Sequence, residues 1–106
     1  MKKTCVVFVT TDGQKTSKKV TNAILKKRLA ACVNRVPGIA AQYWWTGRVE
    51  KAREELLVMK TKKTLMPALV KAVKKAHPYT VPEIIAVDIA AGNADYLEWV
   101  IGETKD

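Results

Sequence analysis

The chain carries a single histidine, His77, in the stretch HPYTVPE that closes on Glu83. Imidazole is the commonest side-chain ligand for copper and zinc, so His77 with a carboxylate six residues on could be part of a metal site completed across an oligomer interface. The same residues also have a structural reading: a histidine at a helix end can cap the last carbonyls, Pro78 stops a helix, and Tyr79 and Pro82 can pin the entry to a following strand. Residue types alone leave both readings open. Other catalytic groupings are poorly supported. Nothing in the sequence brings His77 to Ser17, Cys5 or Cys32, as a nucleophile and base would require. Glu54 and Glu55 are adjacent on an expected strand and point to opposite faces, which argues against a shared acid/base site. GxGxxG and GxxxxGK[ST] are both absent, so nucleotide binding by the common loop types is not supported. Cys5 and Cys32 lie 27 positions apart with no CxxC, and read as two buried thiols in a reducing cytoplasm.

These groups must be held by a fold of 106 residues, 48% of them apolar, which is enough for one core and predicts a single domain over residues 1–106. No run approaches the roughly 18 uncharged apolar residues of a membrane span. MKKTCVVFVT breaks at Thr10, Thr11 and Asp12 without a small-residue cleavage site, so Cys5 to Thr10 reads as a strand and not as a signal peptide. The net charge of +9 is unevenly placed: residues 1–82 hold 18 of the 19 basic side chains and four of the ten acids, and the remainder is acidic. Such asymmetry fits a polyanion partner or an acidic tail lying on a basic surface, and does not choose between them.

After the first strand, Thr16 or Ser17 is expected to cap a helix whose stripe holds Val20, Ala23, Ile24 and Ala31, with Leu25 and Leu29 outside it. VPG (36–38) punctuates; IAAQYWW then leads through Thr46 and Gly47 into a second arm ending in ELLVMKT (55–61), a long β-hairpin. On its first arm Tyr43 and Trp45 point one way and Trp44 the other; on the second, Leu57 and Met59 oppose Leu56 and Val58. Thr64 is expected to cap a second helix with Leu65, Leu69, Ala72, Val73 and Ala76 on one face and Lys71, Lys74 and Lys75 opposite, Pro67 falling harmlessly in its first turn. His77 and Pro78 end that helix, EIIAVDIA (83–90) is the last main strand, and Gly92 and Asn93 open a terminal helix. The order βαββαβ plus a helix predicts an α+β, ferredoxin-like sandwich with both long helices on one face of a four-stranded antiparallel sheet.

The other face is then bare. Because apolar residues occur on both faces of the hairpin and of the last strand, leaving that face in water would expose too large a patch, so a homo-oligomer closed over it is expected. Nucleic acid is disfavoured as its partner. Phe8 and YWW could stack bases, but the hairpin's second arm lacks the glycine-aromatic pattern of RNA-binding domains, and the lysines sit mostly on the helices.

LAACVN (29–34), YWWTGRVE (43–50), ELLVMKT, HPYTVPE and DYLEWV (95–100) stand in an order and spacing that resemble the CutA divalent-cation tolerance proteins over nearly the whole chain. The resemblance implies a tight cytoplasmic homotrimer in which long hairpins pair between subunits, with no membrane association, no required cofactor and no enzymatic reaction. It implies a role in the response to metal ions, with a divalent cation, copper or zinc, as candidate ligand in clefts between subunits. His77 and Glu83 match the family's motif and are the candidate metal contacts, with Tyr43, Trp45, Tyr79 and Pro82 as cleft residues. Some bacterial members have a second histidine before the first and a cysteine at the end of strand one, where this chain has Ala76 and Val9; that change predicts weaker binding of copper(I). The trimer is also similar to the PII signalling proteins. The alternative reading is therefore a trimeric signalling or scaffold protein that binds a small effector or partner protein, with metal sensitivity indirect.

Overall fold

A run rich in β-branched residues makes Thr4–Thr11 the first strand, β1, along which burial alternates, with Cys5, Val7 and Val9 fully buried on one face. In the computed structural model, which describes residues 3–106, it is followed by α1 (Gln14–Lys26), β2 (Cys32–Trp45), β3 (Arg48–Lys62), a short 3-10 turn (Lys63–Leu65), α2 (Met66–Ala76), β4 (Ile84–Asp88) and α3 (Ala94–Glu103). The sheet order is β2-β3-β1-β4 and every pair is antiparallel. The α+β expectation and its order of elements hold.

One face of the sheet is the core. Val7, Val9, Leu57 and Met59 meet Val20 and Ile24 of α1 and Leu69 and Val73 of α2, all with no exposed surface. Burial of this kind is worth about 1.5–3 kcal/mol per large side chain. The expected stripe of α2 is borne out, with Lys71, Lys74 and Lys75 on its wet side.

Several local expectations are corrected. Helix α1 begins at Gln14, not after a Thr16 or Ser17 cap: the Ser17 amide already bonds the Gly13 carbonyl at 3.0 Å, and its buried hydroxyl meets Thr11 Oγ1 at 2.6 Å. Ala31 is not on that helix. The chain leaves it through Arg28, at φ 54°, with Arg28 N bonded to Leu25 O and Leu29 N to Ile24 O, a Schellman ending that turns Leu29 into the core. Helix α2 has no Thr64 cap; the 3-10 turn leads straight into it, and Pro67 sits in its first turn as expected. The last strand is shorter than EIIAVDIA, covering Ile84–Asp88.

The largest difference is β2, which starts at Cys32 and runs through VPG instead of beginning after it. Val36 pairs with Leu56 and Ile39 with Glu54, so β2 takes one residue more than β3 at this point. Pro37, which has no N–H, and Gly38, at φ 71°, form this bulge. The extra residue reverses the alternation. Beyond it the odd-numbered residues Ile39, Tyr43 and Trp45 share the face of Leu56 and Glu54. Thr46 and Gly47, at φ 46° and 83°, then form the tight turn expected of this pair.

The face away from α1 and α2 is only partly bare. Lys62 is buried with Nζ bonded to Thr104 O at 3.3 Å, and Tyr96 Oη lies 3.6 Å from Cys32 Sγ, so α3 covers the end of that face. Elsewhere on it Ile85 and Val87 remain 53% and 55% exposed. Among the described residues no helix is long and apolar enough to cross a membrane.

Candidate functional site

Strand β1 ends at Thr11, opposite Glu55, while the β2–β3 hairpin continues to Trp45 and Arg48. The corner beyond the end of β1 is closed by the segment from His77 to Glu83 that joins α2 to β4. Pro78 prevents continuation of α2, and His77 is already extended at φ −99° and ψ 135°. Hairpin and connection enclose a cleft of about 860 Å³.

His77 lies behind this cleft and does not line it. Its Nδ1 accepts the Tyr79 backbone N–H at 3.1 Å, which requires the second nitrogen to carry the proton; Nε2 therefore donates to the Thr10 carbonyl at 2.7 Å. The ring caps no carbonyl of its own helix. It ties the connection to β1, and its ring centroid is 4.6 Å from that of Tyr79.

Tyr79 is the residue this arrangement presents. Its hydroxyl donates to Glu54 Oε2 at 2.8 Å. Burial, then the hydrogen bond and charge of Glu54, with smaller contributions from Asp12 and Tyr43, hold the phenol well above its usual pKa, so it remains a donor at any ordinary pH. Of the residues singled out from sequence, Tyr43, Trp45, Tyr79 and Glu83 line the cleft together, whereas His77 and Pro82 do not. Glu54 completes the lining and was missed by sequence reasoning, which considered the Glu54–Glu55 pair only as a shared acid/base site. The available signal was strand alternation corrected for the bulge, which puts Glu54 on the same face as Tyr43 and Trp45.

Its neighbour Glu55 points into the other side of the hairpin. Arg35 Nε and Nη2 grip its two oxygens at 2.7 Å each. Those hydrogen bonds outweigh burial and, helped by Ser17, hold the Glu55 carboxyl down at about 2. The two acids thus face apart, as the alternation predicts.

Copper and zinc sites are usually built on thiolate or imidazole donors, and both nitrogens of His77 are engaged. Among the described residues no group of three His, Cys, Asp or Glu side chains is placed to hold a metal ion. Val9 is fully buried in the core. Cys5 is buried there too, and burial pushes its thiol up. Cys32, expected to be buried, is only half-buried beside Tyr96, whose phenol burial pushes up to about 12.

The chain matches the family model described as CutA1 divalent ion tolerance protein over residues 5–103. It is 46% identical over 101 residues to the rice (Oryza sativa subsp. japonica) protein named "Protein CutA 1, chloroplastic", an alignment covering 95% of this chain and 57% of the rice protein. It is 45% identical over 95 residues to the "Divalent-cation tolerance protein CutA" of Thermus thermophilus, covering 90% and 92% of the two chains. The crystal structure of CutA1 from Oryza sativa superposes with a TM-score of 0.95 at 45% identity, covering 98% of this chain and 95% of that one. The chain therefore spans little more than half the length of its plant relative but nearly all of the bacterial one.

Proposed function

The chain belongs to the CutA1 divalent ion tolerance protein family, and from that premise we propose that it serves the divalent-ion response as a ferredoxin-like homotrimer that binds a small ligand in the cleft beside each hairpin. The single observation that carries this reading is the pairing of that open cleft with a histidine whose two nitrogens are already used behind it. A metal-ion site at His77 and Glu83 would first have to break the bond to Thr10 or the bond to Tyr79. The residues therefore do not fit copper or zinc coordination by imidazole, and metal sensitivity is indirect, through what the cleft binds. This favours the signalling or scaffold version of the family's role over direct copper binding, and binding over catalysis.

Assembly is supported by the uncovered part of the helix-free face. Ile85 and Val87, together with Val36, leave an apolar surface on a small chain that a second and third copy would bury. The two free thiols suit a reducing compartment such as the cytoplasm.

Light scattering combined with calorimetric titration tests the reading. The expected mass is three times that of the 11.8 kDa chain, and Cu²⁺ and Zn²⁺ should behave alike toward the native protein and His77→Ala. A stable monomer would remove the assembly; tight copper binding that disappears in His77→Ala would restore a direct metal role.

A further inference from the structure

The lining of the cleft is unusual for a chain of net charge +9: it contains no lysine, arginine or histidine and includes two carboxylates, Glu54 and Glu83. Glu54 is only 7% exposed. One of its oxygens accepts from Tyr79; the other accepts from no described residue, and no cation among the described residues forms an ion pair with it. No buried side-chain oxygen among the described residues lacks a partner, so the second Glu54 oxygen opens onto the cleft, where a cation that enters can pair with it directly. Glu55, equally buried, has its cation in Arg35. Glu54 has none.

The surroundings select the kind of cation. Tyr43, Trp45 and Tyr79 line the same space, and aromatic faces attract positively charged organic groups whose hydration is weak. A cleft of about 860 Å³ suits a small organic molecule. A divalent ion is a poorer match: hard cations favour several converging carboxylates, and among the described residues no group of three His, Cys, Asp or Glu side chains is placed to hold one. An anionic effector would meet two negative charges.

We propose that the cleft binds an organic ammonium ion, with Glu54 as its counter-charge and Tyr43, Trp45 and Tyr79 as its walls. This deepens the ligand-binding reading above and rests on it, but not on the trimer, because every named group comes from one chain. Tyr79 orients the carboxylate by donating to one oxygen, and His77 is a positioning residue that fixes Tyr79 through its backbone N–H.

Calorimetric titration of spermidine and of choline, with ADP and Mg²⁺ as comparisons, tests the proposal on protein whose mass is measured in parallel. The ammonium compounds should bind and the comparisons should not. Glu54→Gln, which keeps an acceptor for Tyr79, should weaken binding about tenfold or more, as expected for loss of a charged partner. Glu98→Gln, an exposed carboxylate on α3 outside the cleft, should change nothing. Binding of ADP without binding of either ammonium compound would overturn the proposal while leaving a ligand-binding cleft; equal ammonium affinity in Glu54→Gln would overturn it as well. If no probe binds, both the proposal and the ligand-binding reading fall. A trimer that binds no ammonium compound and dissociates on Glu54→Gln would mean that a lysine of a neighbouring copy holds the carboxylate, which also overturns the proposal. A monomer that binds them would remove the assembly and leave the proposal standing.

Discussion

On one side of β3, Glu55 is held by two bonds from Arg35 and lies against β1 and α1; one residue earlier, on the other side, Glu54 accepts a single bond from Tyr79 and lines a cleft. Both residues are 7% exposed, so burial does not separate them. Their partners do. The closed carboxylate has a cation, full hydrogen bonding and a strongly lowered pKa, and belongs to the fold. The open one has a donor that orients it and no counter-charge among the described residues, which is the arrangement of a binding group. Placing both on consecutive residues lets one strand brace the hairpin and present a ligand site.

The comparison can be broken most severely on the closed side. Leu57→Ala, on the helix-covered face, should cost about 3 kcal/mol of folding stability, since a fully buried leucine is replaced by a cavity between β3 and the helices. Leu56→Ala, on the opposite face, should cost the isolated chain less. Chemical denaturation of the two variants measures the difference, and equal losses would mean that the two faces are not distinct in the way described.

A smaller effect should follow pH. The folded Glu55 carboxyl sits at about 2 against an ordinary value of 4.5, so its contribution to stability is fully present above about 4.5 and is lost as pH falls toward 2. Arg35→Ala should flatten this part of the stability profile, read as thermal midpoint against pH. An unchanged slope would show that the Arg35 pair is not its source.

Much of this molecule was legible in its sequence. The order of elements, the apolar stripe of α2 and the hairpin turn at Thr46 and Gly47 followed from periodicity and turn residues, and Tyr43, Trp45, Tyr79 and Glu83 do line one cleft. What could not be read turned on local geometry. VPG looks like a break between elements, but a single extra residue at Pro37 and Gly38 lets the ladder continue and reverses which side chains face Glu54. Ser17 looks like a cap because hydroxyls favour that position, yet its hydroxyl is taken by Thr11 inside the helix. His77 looks like a ligand because imidazole is one. Only the positions of Thr10 O and Tyr79 N show that both of its nitrogens are already used, and neither contact leaves a mark in the spacing of the motif.

The most direct test of the account is a crystal structure of the protein grown with a quaternary ammonium compound and Cu²⁺ together. The account predicts density for the ammonium group against Glu54 and Trp45, with His77 still bonded to Thr10 and carrying no metal. Copper on a His77 nitrogen released from Thr10, with the cleft free of the ammonium compound, would contradict it.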